Sequence, residues 1–329
     1  MDEHNDDATV FQVTNDSIFS SEGKLLHISC DNFIQDIVNG ACCFVCGRPE
    51  GEWEKSTGEH VLPDWLLKHF EWRQSKKRKE LAMITLPGKQ YRKYGGYRIR
   101  CCLECNGLLS KAVEVPISEM LKGGMRTLEV ELRTVSGRSL MYQWLCLIFL
   151  KTHLFDRERR VIQKDPESPL ISTVYDWRTL HHIHAVARAA YSGTLLDPMA
   201  VGSIFVVEVK DPFFDYVDVS EGRALYLAFG DFAVFCVLDD GCGVNCFGES
   251  ITRQVPPPVT RKTARTLLGH LAYVNMRLKE RPLLYTDCGT APFCIRAKLP
   301  SRPVLMEHDP ELFSKVMDAA HGARGLTSC

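Results

Sequence analysis

Apolar residues in the N-terminal third of the chain recur mostly with helical spacing. The residues 33–38 carry four apolar side chains on one helical face, and the stretch 64–72 repeats them as a stripe. A strand-like segment leads into residue 102. A further helix is predicted from about 106, and Pro116 is expected to end it.

Beyond residue 116 the pattern changes, because strands come between the predicted helices. Helical periodicity predicts three helices, over 138–162, 176–191 and 260–280. Runs of apolar residues predict three strands, over 202–209, 224–229 and 231–238. Gly230–Asp231 and Asp240–Gly241 are typical of turns between such strands. The order of these elements predicts an α+β fold with an antiparallel sheet.

Length and composition indicate a globular protein with more than one domain. The chain has 329 residues, of which 45% are hydrophobic and 25% charged, and its net charge is −1. A chain of this length exceeds the usual size of one domain, so two domains are predicted. Since the net charge is close to zero, any surface for nucleic acid must be local.

The sequence contains no segment that predicts secretion or membrane insertion. The opening residues, MDEHNDDATV, are acidic, whereas a signal peptide begins with positive charge followed by an apolar run. The most apolar stretch, Leu140–Phe155, contains Lys151 and is too short to span a bilayer. We therefore expect a cytoplasmic protein with no membrane segment.

Six of the fourteen cysteines fall in two tight clusters. Each cluster contains a Cys-x-x-Cys pair, and the two pairs are Cys43 with Cys46 and Cys102 with Cys105. Four thiolates in two such pairs suit tetrahedral zinc. The neighbouring Cys42 and Cys101 are offset by one residue and could compete as ligands. Because 55 residues separate the pairs, the zinc is predicted to join the two ends of an inserted unit.

Two other groups of residues offer weaker metal-site patterns. Cys242, Cys246, Cys288 and Cys294 could form a second site, but no histidine accompanies them. The histidines His181, His182 and His184 lie in a predicted helix, where they are expected to line or cap the helix rather than bind metal.

The inserted unit carries the sequence Glu59-His60-Val61-Leu62-Pro63, and the second cysteine pair is followed at once by Asn106. This combination resembles the HNH nuclease family, also called ββα-metal or His-Me finger nucleases. EHVLPDWLL with CLECNGLLSKAVE is similar to a bacterial and phage branch with EHV-x-P-x-W and CxxCN-x-x-x-S-x-x-x-E patterns. The resemblance covers about residues 40–115, and a weaker likeness extends to Trp144 and Lys151.

The resemblance implies a role for each motif residue in phosphodiester hydrolysis. His60 would be the general base that activates water, since a neutral imidazole suits proton removal. Glu59 and Asn106 would supply oxygen ligands to a catalytic Mg²⁺ or Mn²⁺. Neighbouring side chains in a strand point to opposite faces, so Glu59 and His60 would share a site only with a turn or bulge near Gly58. Asn106 could instead cap a helix.

The chain departs from the family's pattern at three positions. Many members place an Asn four to six residues before the second Cys-x-x-Cys pair, where this chain reads GGYRIRC. Many also have Asp where this chain has Glu59, and Lys where it has Leu109. These departures concern catalysis more than the fold.

The unit is locally basic. Between residues 41 and 111 there are 14 Lys and Arg against 8 Asp and Glu. Such an excess suits contact with phosphates, which gives affinity without sequence choice. The residues predicted to contact nucleic acid are Arg73, Lys76, Lys77, Arg78, Lys79, Lys89, Arg92 and Lys93.

The sequence thus predicts an α+β protein in which a zinc-clipped ββα-metal (HNH) module precedes a second α+β domain. The predicted divisions are a flexible lead-in segment over 1–35, the module over 36–116 and the C-terminal domain over 117–329. The predicted function is metal-dependent cleavage of nucleic acid, with double-stranded DNA favoured over RNA as the substrate, and analogy with the branch suggests defence against foreign DNA.

Two alternatives remain open at this point. The module could be a non-catalytic, zinc-stabilised surface for nucleic acid or protein. The chain could also be an accessory subunit, whose C-terminal domain binds a partner protein or forms a homo-oligomer.

Overall fold

The computed structural model describes residues 11–53, 55–73, 83–86, 90–93, 96–161 and 165–322. Its strands are β1 Phe11–Thr14, β2 Ser17–Ser20, β3 Leu25–His27, β4 Ser56–His60, β5 Met83–Leu86, β6 Gln90–Lys93, β7 Arg98–Cys102, β8 Leu195–Leu196, β9 Ser203–Val219, β10 Ala224–Val237, β11 Leu283–Asp287 and β12 Cys294–Lys298. The protein is therefore a mixed α+β fold, as the sequence predicts.

The α-helices are α1 Cys30–Asn32, α2 Asp64–Arg73, α3 Leu103–Leu109, α4 Val115–Lys122, α5 Gly124–Glu131, α6 Val135–Asp156, α7 Ile171–Val174, α8 His181–Ala187, α9 Ala189–Ser192, α10 Gly248–Gln254, α11 Arg261–Met276 and α12 Pro310–Ala320. Segments of π-helix, Phe33–Val38 and Ser110–Glu114, follow α1 and α3 directly. Short 3₁₀ turns lie at Glu50–Glu52, Trp177–Leu180, Pro198–Ala200 and Gly243–Phe247.

The strands of the described residues form five small sheets. Antiparallel pairing joins β1, β2 and β3 in one sheet, and it joins β4 with β7, β5 with β6, and β9 with β10 in three others. The fifth sheet has the order β11-β12-β8, and its β12–β8 pair is parallel. The predicted antiparallel character is confirmed apart from this one short pair.

The long hairpin of β9 and β10 corrects the turn predicted at Gly230–Asp231. β10 runs through these residues without reversing, and its pairing with β9 shifts register between Gly230 and Phe232. Gly230 has a φ of 82°, which a glycine adopts readily at a bulge. The turn signal in the sequence therefore marks a β-bulge within one strand, and β9 extends well past the predicted 202–209.

The helix predicted to end at Pro116 continues past that residue. Pro116 lies in the first turn of α4, directly after the π-helical segment ends. The π-helical segment Ser110–Glu114 bridges α3 and α4, so the three segments form one continuous path. The predicted domain boundary at 116 thus falls inside a helix, and the division into domains stays a prediction.

Helix α6 lies at the centre of the larger of two hydrophobic clusters. Thr134 caps its start by accepting a hydrogen bond from the Gly137 amide (3.0 Å), and fourteen of its residues are buried. The cluster around α6 includes cysteines of the zinc-clipped unit as well as residues of β9 and β10. The second cluster lies between the β9–β10 hairpin and the helices α11 and α12. None of the helices in the described part of the chain is long and apolar enough to cross a lipid bilayer.

Candidate functional site

Four cysteines from two distant parts of the chain meet in one buried cluster. The Sγ atoms of Cys43, Cys46, Cys102 and Cys105 all lie within 4.8 Å of one another. Cys43 and Cys46 stand on a loop closed by a hydrogen bond from the Gly47 amide to the Cys43 carbonyl oxygen (2.9 Å). Four buried thiols in two knuckles are a donor set that fits tetrahedral zinc. This cluster could therefore hold the predicted structural zinc.

Gly47 is required by the shape of this loop. Its φ is +74°, in the left-handed region that favours glycine, and a Cβ here would come within 2.8 Å of the Leu25 side chain. The second pair is shaped by its helix, because Cys102 caps α3 and its Sγ accepts a hydrogen bond from the Cys105 amide (3.4 Å). Asn106 is therefore not the cap of this helix.

Cys101, one of the two competing cysteines, lies next to the cluster. Cys101 is buried, and its Sγ lies 3.9 Å from that of Cys43, the same distance that separates Cys46 from Cys102. Hydrogen bonds from Cys101, Cys105 and Cys46 lower the pKa of Cys43 far below its usual range. Cys101 is therefore a neighbour of the four-thiol group, although it does not belong to it.

Two cations lie close to the thiols. Arg48 donates to Cys102 Sγ (3.7 Å) and pairs with Glu104. Arg188 on the far side is fully buried, and its guanidinium donates to the carbonyl oxygens of Val45 (2.8 Å) and Leu25 (2.6 Å). Positive charge beside thiolates offsets the negative charge of a four-thiolate site.

Two histidines of the predicted helix contact backbone carbonyls, as expected of residues that line a helix. His184 Nε2 is 2.7 Å from the Phe44 oxygen inside the cysteine loop, and His181 Nε2 is 2.8 Å from that of Ile28. Burial lowers the pKa of His184 well below its usual value, so its imidazole is neutral and Nε2 carries the donated hydrogen.

Strands β4 and β7 carry the candidate catalytic residues on two different faces. The pairing is regular from Ser56 to His60 and has no bulge at Gly58. Glu59 is buried, whereas His60 is only half-buried. The regular pleat therefore directs Glu59 and His60 to opposite faces, and the bulge that would bring them into one site is not formed.

On the buried face, Glu59 meets a lysine from α6. Lys151 Nζ donates to Glu59 Oε1 (2.7 Å) and to the His60 carbonyl oxygen (2.6 Å), and it lies 3.7 Å from Glu114 Oε1. Lys151 is fully buried. Burial disfavours its charge, but Glu59 and Glu114 outweigh burial and raise the pKa of Lys151. Burial raises the pKa of Glu114, while Lys151 opposes this rise. One ammonium thus lies beside two carboxyl groups of the motif, and its charge balances that of one carboxylate.

Aromatic packing brings further motif residues to the same helix. Trp65 of α2 stacks on Trp144 of α6, with ring centroids 6.2 Å apart. Lys151 lies seven residues after Trp144, two helical turns along α6. The residues of the weaker likeness, Trp144 and Lys151, therefore contact the residues of the EHV-x-P-x-W stretch directly.

On the open face, His60 stands directly opposite Arg98 of β7. A side chain at Gly58 would collide with Arg98, whose Cδ would lie 2.9 Å from the added Cβ, so the arginine lies across this strand position. Burial lowers the pKa of His60, and the positive charge of Arg98 lowers it further. His60 is consequently neutral at neutral pH, the form that accepts a proton.

Asn106 contacts β4 through Thr57. Its Nδ2 donates to Thr57 Oγ1 (3.0 Å), and that hydroxyl donates to the Cys101 carbonyl oxygen (3.1 Å). Glu59 Oε1, the other predicted oxygen ligand, accepts a hydrogen bond from Lys151. The predicted roles of Asn106 and Glu59 as ligands to Mg²⁺ or Mn²⁺ stay predictions.

Most of the basic residues predicted to contact nucleic acid lie outside the described residues, namely Lys76, Lys77, Arg78, Lys79 and Lys89. Arg73 ends α2, and Arg92 and Lys93 belong to β6. Their contact with nucleic acid stays a prediction.

Arg98 is the site residue that sequence reasoning missed. It lies four residues before Cys102, inside the window where many HNH nucleases carry an asparagine. Arg98 lies opposite His60, at a position where the family pattern predicts asparagine and not arginine. Glu114 was visible only as the last letter of the CxxCN-x-x-x-S-x-x-x-E pattern, and nothing in its spacing indicated a lysine partner from α6.

The four-cysteine cluster is the only group of three or more metal-binding side chains among the described residues. Cys242, Cys246, Cys288 and Cys294 therefore do not form a second site there. No protein-family model matches the chain, and no curated protein or solved structure does either.

Proposed function

We propose that the chain is a metal-dependent endonuclease of the HNH type that hydrolyses phosphodiester bonds in DNA, with His60 as its general base. The observation that carries the proposal is the open face of β4 and β7. It presents a half-buried, neutral imidazole directly opposite a guanidinium, in a strand–strand–helix unit whose ends meet at four thiols.

The chemistry of this face suits the attack of water on a phosphate. His60 accepts a proton from water in its neutral form, which its lowered pKa favours at neutral pH. Arg98 offers a planar donor suited to a phosphate oxygen. A divalent ion, when bound, supplies neutralisation of the charge on the phosphate and the leaving oxygen. If Glu59 is a ligand to that ion, its carboxylate would have to give up its hydrogen bond from Lys151.

One observation favours a second candidate, a non-catalytic module that binds nucleic acid. Lys151 already forms an ion pair with Glu59 and lies 3.7 Å from Glu114 Oε1. An ammonium fixed in this position supports the fold without any divalent ion. In this case the open face of β4 and β7 would bind phosphates and leave them intact.

Cleavage of plasmid DNA with Mg²⁺ or Mn²⁺ separates the two candidates. The wild-type chain is expected to nick or linearise the plasmid. His60→Ala is expected to lower the rate at least about a hundredfold, the usual contribution of a general base. Because His60 is not one of the four predicted zinc ligands, the zinc content and melting temperature of the variant should stay close to those of the wild type.

A matched control is His270→Ala. His270 of α11 is also half-buried, and burial also lowers its pKa, but it lies in the second hydrophobic cluster region beside Phe313. This variant should cleave like the wild type. Equal cleavage by His60→Ala and wild type would refute the role of His60, and binding without any cleavage by the wild type would favour the non-catalytic module.

A further inference from the structure

An open cleft lies beside the candidate nuclease face and has no role in the chemistry described above. Its volume is about 230 Å³, and it is formed by the residues 38–41 after the first π-helical segment, by Arg100 of β7, and by Arg157, Glu158 and Ser172. The cleft therefore joins the zinc-clipped unit to the end of α6.

Arg100 connects the cleft with the open face. It is two residues from Arg98 on β7, so both arginines extend from the same face of the strand as His60. Two residues of a strand span about 7 Å, and the cleft thus begins about that far beyond Arg98 along the sheet. A polynucleotide strand lying on this face would extend over both positions.

The donors of the cleft have capacity left for an anion. Arg157 uses Nη1 to bond the Ile37 carbonyl oxygen (2.7 Å), which fixes its side chain, while its Nη2 lies 3.7 Å from Glu158 Oε1, beyond hydrogen-bond reach. Arg100 pairs with Glu50 (3.0 Å), but both side chains are about half exposed, and such pairs contribute little and exchange readily.

The two guanidinium groups also repel each other. Burial lowers the pKa of Arg157, the Glu158 carboxylate opposes this, and the like charge of Arg100 lowers it further. An anion between two fixed cations removes such repulsion, and a phosphate oxygen matches the planar donors of arginine.

We propose that this cleft is a phosphate subsite, which holds the backbone of a nucleic-acid strand beside His60 through Arg100 and Arg157. The proposal rests on the proposed function for the identity of the ligand. It adds the path of the strand, from the face of β4 and β7 across Arg100 to the end of α6.

Binding of a fluorescein-labelled DNA duplex and of its single strand, without divalent ions and at several salt concentrations, tests this subsite. Arg100→Gln and Arg157→Gln should each weaken binding and lower the log–log salt slope on the duplex by about 0.9, the loss of one phosphate contact. Arg178→Gln is the matched control, because Arg178 is an exposed arginine paired with Asp31 away from the cleft. It should leave the slope unchanged.

A variant that binds DNA more tightly shows that weaker binding by the arginine variants is not caused by unfolding. Glu158 borders the cleft with a side chain that is 77% exposed, so Glu158→Gln removes a competing charge without disturbing packing. It should tighten binding roughly two- to fivefold. Unchanged slopes in both arginine variants, or no gain in Glu158→Gln, would overturn the subsite.

Two further arms separate this proposal from others. Calorimetric titration with inorganic phosphate tests whether the cleft takes free phosphate alone. In that case phosphate binding would depend on Arg157, while DNA binding would be the same in Arg157→Gln and wild type. This pair of results would refute strand binding. Cleavage assays on the same variants keep the two proposals distinct. His60→Ala tests the nuclease, and it should leave the salt slope of the cleft intact.

Discussion

The predicted zinc-clipped unit (residues 36–116) and the C-terminal layer (β9, β10, α11 and α12) differ in the side chains that fill their interiors. In the C-terminal layer, apolar side chains such as Phe235 and Leu268 fill the space between a long hairpin and two helices. In the unit, five buried cysteines stand among the apolar residues where β4, β7 and α3 meet. The layer is held mainly by its own apolar surface, whereas the unit gathers thiols that a metal could hold together.

The two regions also differ in how far apart their contacts lie along the chain. β9 and β10 are joined by a short turn, so their pairing is local. Cys46 and Cys102 are separated by 55 residues, and closing so long a loop costs conformational entropy that a bound zinc would offset. The difference indicates that the unit would unfold first when the metal is lost.

Loss of zinc is the largest effect expected. Cys43→Ser should lose the metal and leave the unit unfolded, because zinc binding contributes roughly 10 kcal/mol or more in small zinc domains. Metal analysis should find about one zinc per wild-type chain and none in the variant. Limited proteolysis should cut the variant within residues 36–116.

Cys236→Ser is the matched control in the C-terminal layer. Cys236 is fully buried on β10, where it contacts the Val237 carbonyl oxygen (3.7 Å); it packs in the cluster around α6 but is not one of the four thiols. Its replacement should cost at most a few kcal/mol and keep the zinc. Well-folded wild-type protein without zinc would contradict the comparison.

Lys151 joins the unit to α6, the helix from which it extends. Lys151→Met would leave the carboxylates of Glu59 and Glu114 buried without their cation, and it should lower the free energy of unfolding by about 3–5 kcal/mol. Chemical denaturation measures this loss. Adding Glu59→Gln and Glu114→Gln to the variant should recover part of it, since the unpaired charges are then gone.

The corresponding ion pair of the C-terminal layer is Arg265 with Asp215 (2.9 and 3.0 Å), and Arg265→Met serves as its control. It should destabilise the chain without changing plasmid cleavage, whereas Lys151→Met should also lower cleavage because Lys151 holds the His60 carbonyl oxygen. If Mn²⁺ restores the stability of Lys151→Met but not of the variant that also carries Glu59→Gln, Glu59 is able to hold a divalent ion.

The sequence was sufficient for those parts of the unit that depend on residue type and spacing. The four cysteines were predicted from two Cys-x-x-Cys pairs, and the structure brings them together in one cluster. The resemblance also implied a bulge near Gly58 that would bring Glu59 and His60 into one site, and this was wrong, because the regular pairing of β4 keeps them on opposite faces. The spacing of the cysteines is local information in the sequence, whereas the bulge was an expectation taken from the family.

The parts that could not be predicted depend on contacts between distant residues. Nothing near Glu59 indicates that Lys151, 92 residues away, is its partner. The turn predicted at Gly230 was wrong because glycine favours turns and bulges alike, and only the pairing with β9 decides between them. The role of Pro116 was misjudged for a similar reason, since a proline can either end a helix or stand in its first turn.

A pH dependence is expected at the junction of the two regions. Asp156 at the end of α6 accepts a hydrogen bond from Tyr97 of the unit (3.0 Å) and pairs with Arg159 (2.9 Å). Asp218 of β9, which accepts from Tyr216 (3.0 Å), adds a like charge nearby. Burial raises the pKa of Asp156 from 3.8 to about 7.

The stability that Asp156 contributes decreases as the pH rises, because its pKa is higher in the folded chain. The folded chain binds the proton of Asp156 more tightly than the unfolded chain, so the stability it contributes is full below a pH of about 4 and is lost as the pH rises through about 7. Asp156→Asn keeps an uncharged acceptor for Tyr97 and should flatten this decline. Asp240, whose pKa burial raises to about 6, contributes in the same direction from the C-terminal layer and should leave a residual slope at lower pH. Denaturant titrations of wild type and Asp156→Asn across this range measure the difference, and parallel curves for the two proteins would show that Asp156 does not report on the junction.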